Sequence, residues 1–152
     1  MTDGQTAWVT RAFGEPGVRW GPRSRRWAEL AAVFVGGAAG ALARVWLSER
    51  FAQGATSWPW TIFAINVTGS FLLAYLATSL QERLPVSTYR RPALGTGFCG
   101  AYTTFSTMQL ELVRMVGAGD WALAGAYGCA SLAAGLAAVW LGCSLARRAR
   151  LA

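Results

Sequence analysis

The chain has 152 residues, 54% of them hydrophobic and 14% charged, with 8 Trp and 18 Gly, which predicts one compact unit and not two domains. All 14 basic residues are arginine, no histidine is present, and the formal net charge is +7. These arginines gather at the N-terminal tail, around residues 83 to 91 and at the C-terminus, flanking apolar runs instead of striping a soluble face, which argues against nucleic acid as the partner.

Residues 1–27 are polar and rich in Arg and Gly, with scattered aromatics (Trp8, Phe13, Trp20), and read as a disordered basic tail. Ser24-Arg25-Arg26-Trp27, with Ala41-Leu42-Ala43 further on, resembles a twin-arginine export signal and its cleavage site. A soluble domain should follow such a signal, however, and three more apolar runs of membrane length follow here. A membrane domain over residues 28–147, closed by a short basic end at 148–152, is the organisation expected. Its first span runs from about Leu30 to Leu47, where Gly36 and Gly40 stand four apart and let another helix approach closely. Near its end Arg44 either snorkels to the interface or holds a fixed positive charge over a vestibule.

Trp58 and Trp60 mark a membrane interface, and the second span covers about Thr61 to Leu80. Its conspicuous residue is Asn66, whose amide either bonds a neighbouring helix or offers its NH₂ to a passing solute. Gly69 and Ser70, one turn on, form a small face. Gln81 to Arg91 is a short charged loop.

The third apolar run, Pro92 to Leu110, carries no charge yet makes a poor helix. Gly95, Gly97 and Gly100 weaken helix propensity, and Thr103, Thr104, Ser106 and Thr107 lower hydrophobicity just beyond. Irregular backbone survives at membrane depth only where protein packs it or a polar cavity adjoins it, so this stretch predicts a broken helix at an ion site. Glu111 and Arg114 end the run, and Gly117-Ala118-Gly119-Asp120 makes the next turn. The fourth span runs from Trp121 to about Leu145, with Tyr127 and Ser131 on one face, either satisfying interhelical hydrogen bonds or forming a hydroxyl track along a pore. Cys99, Cys129 and Cys143 lie isolated in apolar sequence and read as packing residues.

Catalysis has little to work with, since no histidine, metal-ligating cluster or nucleophile beside a base is present, and the chain does not read as an enzyme. What it offers is donors and carbonyls. The hydroxyls of Thr104, Ser106, Thr107 and Ser131, the Tyr127 phenol and the Asn66 amide can replace an ion's water shell, while carbonyls released at a helix break can hold a small cation. Phe105 and Met108, three apart, either form plain core or turn a positive ring edge to an anion.

Three motifs together resemble the Fluc fluoride channel family, also called CrcB: Gly36-Gly37-Ala38-Ala39-Gly40-Ala41-Leu42-Ala43-Arg44, Asn66-Val67-Thr68-Gly69-Ser70-Phe71, and Gly97-Phe98-Cys99-Gly100-Ala101-Tyr102-Thr103-Thr104-Phe105-Ser106-Thr107. The resemblance spans about Ala31 to Leu145. It implies an all-α membrane protein with four transmembrane helices, the third broken, assembled as an antiparallel dimer with two pores that passively export fluoride from the cytoplasm, relieve fluoride toxicity and reject chloride. It also implies a structural sodium ion at the dimer centre, held by main-chain carbonyls matching Gly100 and Thr103. Asn66, Phe105, Ser106, Thr107, Tyr127 and Ser131 match the fluoride pathway, Arg44 the vestibule arginine, and Glu111 the acid after the motif. Three positions depart from the family pattern. Met108 replaces a second pore phenylalanine, Gly135 falls where a hydroxyl is expected, and Thr61-Ile62 stands for the Gly-Thr before the asparagine.

With four spans, Arg11, Arg19, Arg23, Arg25, Arg26, Arg83, Arg90, Arg91, Arg147, Arg148 and Arg150 share one side, against Arg44, Arg50 and Arg114 on the other. The positive-inside rule then puts both termini in the cytoplasm of a multi-pass protein of the cell membrane. An antiparallel homodimer needs one chain inserted both ways, so this bias predicts a heterodimer with an oppositely oriented paralogue as the alternative to a homodimer. The rival reading from another class is a small four-helix drug or cation exporter, which requires a proton-coupling carboxylate in mid-span; Glu111 stands near a span's end.

Overall fold

The computed structural model describes residues 23–51, 57–82 and 89–149, and every regular element among them is a helix. They are α1 (Arg23–Arg50), α2 (Trp60–Glu82), α3 (Pro92–Cys99), α4 (Gly100–Tyr102), α5 (Phe105–Gly117) and α6 (Trp121–Arg148). By length and composition α1, α2 and α6 can each cross a membrane, over Arg25–Arg50, Trp60–Leu80 and Trp121–Arg148. These are the first, second and fourth spans read from the sequence. α1 begins at Arg23, inside the stretch assigned to the tail, while residues 1–22 and 83–88 and those from Arg150 onward lie outside the described residues.

The third run is divided, and its chemistry accounts for where. Pro92 sits at the start of α3, where a missing N–H costs least, and the helix is wound with π-type turns through Cys99. That winding fits α1. A Cβ at Gly36 would collide with the carbonyl of Ala93, and one at Gly40 with the carbonyl of Phe98, so the two backbones touch twice. Gly36 and Gly40 are one α-turn apart, and Ala93 and Phe98 one π-turn apart, so the wider winding brings two carbonyls into register with two glycines. Gly97 is buried in the same seam, where a Cβ would stand 2.6 Å from the Val33 carbonyl.

After α4 the chain extends through Thr103 (φ −75°, ψ 154°) and Thr104 (φ −147°, ψ 116°) before α5 begins. The expected break is therefore two residues long and falls after the glycines, on the first two members of the hydroxyl cluster. At the far end of α5, Gly119 takes φ 87°, a conformation that costs a residue with a side chain more. Gly119 N–H bonds Val116 O and Asp120 N–H bonds Met115 O, each at about 3 Å, which caps the α5 carbonyls and turns the chain into α6.

α2 and α6 form the most extensive pair and run parallel: Trp58 touches Tyr127 near their starts, and Gly142 lies against the backbone of Phe71 and Tyr75 further along. Only 6% of the residues in the apolar window of α1 are buried within the chain, and Phe34 (76%) and Leu136 (73%) are largely exposed. Apolar surface on that scale in one chain fits a lipid solvent.

Candidate functional site

The break between α4 and α5 organises the site, and Thr104 is its hub. It is 8% exposed and serves as the N-cap of α5: its Oγ1 accepts from Thr107 N–H at 3.2 Å and lies 3.0 Å from Thr107 Oγ1 and 3.3 Å from Ser106 Oγ. Its main chain is held from α2. Asn66 Nδ2 donates to Thr104 O at 3.0 Å, and Asn66 Oδ1 accepts from Thr104 N–H at 2.9 Å. The amide thus substitutes for the ladder partner that the extended residue lacks, a bond pair worth about 0.5–1.5 kcal/mol each by general experience. Of the two roles open to Asn66, bonding a neighbouring helix is the one the geometry displays, and the second Nδ2 hydrogen stays available.

The diverted donors free two carbonyls. In a continuous helix Thr104 N–H would close on Gly100 O and Thr107 N–H on Thr103 O, but one goes to Asn66 and the other to the Thr104 hydroxyl. Gly100 is exposed and nothing lies within 4 Å of where its Cβ would be. The neighbouring carbonyls are occupied: Cys99 O accepts from both Thr103 N–H and Thr103 Oγ1, and Ala101 O accepts from Arg44 Nε at 3.0 Å. Gly100 and Thr103 are the positions expected to hold sodium, and a hard, monovalent cation suits such neutral oxygen donors. Arg44 is anchored on the carbonyl end of α4, where its charge also opposes the negative pole of the broken helix.

The site residues divide between two depressions. A groove of about 270 Å³ brings together Asn66, Thr103, Thr104, Phe105, Met108 and Ser131, with Gly69, Ser70 and Gly135 on its walls. Gly135, the position where a hydroxyl was expected, leaves its part of the wall bare. Phe105 is 68% exposed, an aromatic ring presented outward from the chain. A second cleft, of about 320 Å³, gathers Arg44, Ser48, Thr61, Thr107 and Glu111. Glu111 Oε1 lies 3.5 Å from Arg114 Nη1, and the Thr61 hydroxyl donates to Phe51 O at 2.7 Å, which commits it to tying α2 to the end of α1. Ser106 is exposed and reaches the site only through Thr104.

Tyr127 lies in neither depression. It is fully buried beside Met115 and Ala124, with Trp58, Phe63, Met108 and Leu112 around it. Met108 borders both this cluster and the groove, and Ser131, one turn along α6, is again on the groove wall. The Tyr127 and Ser131 hydroxyls are both buried and have only each other within reach, one turn apart on α6, so the interhelical bonds that would have explained them are not made. The sequence picked out Thr104 as a donor but not as the hub, and did not pick out the contact of Trp58 with Tyr127. Thr104 was one hydroxyl among several, although its spacing to Thr107 is an N-cap signal, and Trp58 was taken only as an interface marker.

Residues 31–143 match the family model described as "CrcB-like protein, Camphor Resistance (CrcB)". The chain is 56% identical over 123 residues, 81% of its length, to "Fluoride-specific ion channel FluC 1" of Mycolicibacterium paratuberculosis, covering 93% of that protein. It is 55% identical over 123 residues to the protein of the same name from Mycobacterium tuberculosis, with the same coverage, and 46% identical over 120 residues to "Fluoride-specific ion channel FluC" of Acidobacterium capsulatum, spanning 76% of this chain and 94% of the relative.

Proposed function

The chain belongs to the CrcB family, and from that premise we propose that it is a fluoride-specific ion channel of the cell membrane, through which fluoride leaves the cytoplasm passively. It is a membrane protein and not an enzyme. The observation that carries the reading is the groove in which Asn66, Phe105, Met108 and Ser131 converge, next to a buried hydroxyl pair that no neighbouring helix satisfies. Fluoride keeps its water shell tenaciously, and only a path that supplies donors in place of water, in surroundings too apolar for a larger and differently shaped hydrogen-bond network, transfers it. Ser131, Tyr127 and the spare amide hydrogen of Asn66 are such donors, and the Phe105 ring edge adds a weakly positive surface, while Arg44 shares its cleft with Glu49 and Glu111.

We place a structural sodium ion at the Gly100 and Thr103 carbonyls. Two carbonyls from one chain are too few for a cation's shell, so the same pair from a second, antiparallel chain would complete it. The charge bias of the termini and the loop between the second and third spans favours one orientation, and it supports a heterodimer with an oppositely biased paralogue over a homodimer. An exporter driven by protons lacks support, because Glu111 faces Arg114 and the groove has no carboxylate on its walls.

The deciding experiment is efflux from liposomes loaded with fluoride or chloride, read by ion-selective electrodes in sodium buffer, with the purified chain alone and with the paralogue. Rapid release of fluoride and not chloride is expected. Fluoride release by the chain alone would remove the obligate partner and keep the channel. No fluoride release in either condition would overturn the channel reading.

A further inference from the structure

We propose that the indole N–H of Trp58 belongs to the anion path, as a donor that continues the line of Ser131 and Tyr127 toward the end of the bundle where α2 and α6 begin. The inference rests on the fluoride-channel reading and adds a residue to its path. Trp58 precedes α2, and its ring stands edge-on to Tyr127, with centroids 5.5 Å apart and planes at 86°. Its Nε1 is buried and has no acceptor, and it lies beside the Tyr127 phenol, whose hydroxyl is likewise unmet by any neighbouring helix. A buried indole N–H normally finds a partner. The indole N–H has no acceptor in a cluster whose other members are apolar apart from Tyr127, and the Tyr127 and Ser131 hydroxyls, one turn apart on α6, have only each other within reach, so the three form a row of donors that no neighbouring helix satisfies. An indole also differs from a hydroxyl in having no lone pair to offer, so it can serve an anion but cannot coordinate a cation. The ligand class is therefore a small anion stripped of water, fluoride in the present reading. Met108 touches this cluster and the groove alike, which joins the two regions.

The test uses the whole chain in lipid nanodiscs with ¹⁵N-labelled tryptophan. Its 8 indoles give separate N–H resonances, and Trp58→Phe, which keeps an edge-on ring against Tyr127, identifies the one in question. That resonance is expected to move progressively with added fluoride and to stay fixed with chloride, and Trp58→Phe, eluting as the unaltered protein does, is expected to pass fluoride several-fold more slowly from vesicles. An indole resonance indifferent to fluoride overturns the proposal, as does undiminished flux through assembled Trp58→Phe. Should that variant not assemble, Trp58→Tyr supplies the assignment and the resonance decides. An unaltered chain that conducts fluoride beside an unshifted indole sinks this proposal alone; one that passes none, with or without the paralogue, sinks the channel reading as well.

Discussion

Residue 108 puts a thioether where the family pattern has a second phenyl ring, and the site geometry gives that exchange a measurable meaning. Phe105 and Met108 share one groove, the ring presenting a positive edge and the sulfur only its polarisability. Replacing Phe105 with Ile, which is apolar but has no ring quadrupole, is expected to abolish fluoride efflux while leaving the elution volume unchanged. Met108→Phe is expected to raise efflux several-fold at unchanged selectivity over chloride. Efflux indifferent to both substitutions would return the two side chains to plain packing. At this scale the sequence was legible in part. Asn66 stood out as an amide in an apolar span, but its spacing gave no reason to choose between pore and scaffold; only the pairing with both backbone groups of Thr104 displays the scaffold role. Tyr127 and Ser131 shared a face as expected, while the absence of a bond to another helix depends on what α2 and α5 bring opposite them.

Among the elements, the seam between α1 and the π-wound α3 is the one held by the least substitutable residues. A valine at position 40 would drive its Cβ, with two methyls attached, into the Phe98 carbonyl, an atom that cannot swing aside as a side chain does. Overpacking of a core typically costs about 1–3 kcal/mol, and a backbone collision belongs at or above the upper end. Gly40→Val is therefore expected to lower the melting temperature of the detergent-solubilised protein sharply, whereas Gly125→Ala, where open space surrounds the site, is expected to leave it unchanged or raise it through helix propensity worth about 1 kcal/mol. Equal melting of the two variants would contradict the seam. The small-xxx-small spacing of Gly36 and Gly40 announced a contact face, and the glycines of the third run announced a break. The π winding was not legible, because propensity ranks residues for helix against coil and is silent on which helix a neighbour's register selects.

For the whole molecule, the open question is which way the chain sits and what covers it. Fluorescent or protease-accessible tags on each terminus in growing cells are expected to report both ends on the cytoplasmic side in nearly every copy, following the arginines at residues 11–26, 83–91 and 147–150. An even split would instead fit a homodimer and remove the case for a paralogue. The helical class and three of the spans followed from apolar run lengths, since a bilayer fixes how long such a run must be. The exposed Phe105 and the largely uncovered α1 had no signature in the sequence, as lipid-facing and packed side chains in a membrane span draw on the same residues. The α1–α3 seam has one more consequence. Backbone laid on backbone closes without freezing side-chain rotamers, a loss that runs to about 0.5–1 kcal/mol for each leucine or isoleucine ordered elsewhere in the bundle. With so little entropy lost on closing, heating should have correspondingly little hold on that contact, and amide hydrogen exchange on warming is expected to release the packing of α5 on α6 before the frame that carries the Gly100 and Thr103 carbonyls.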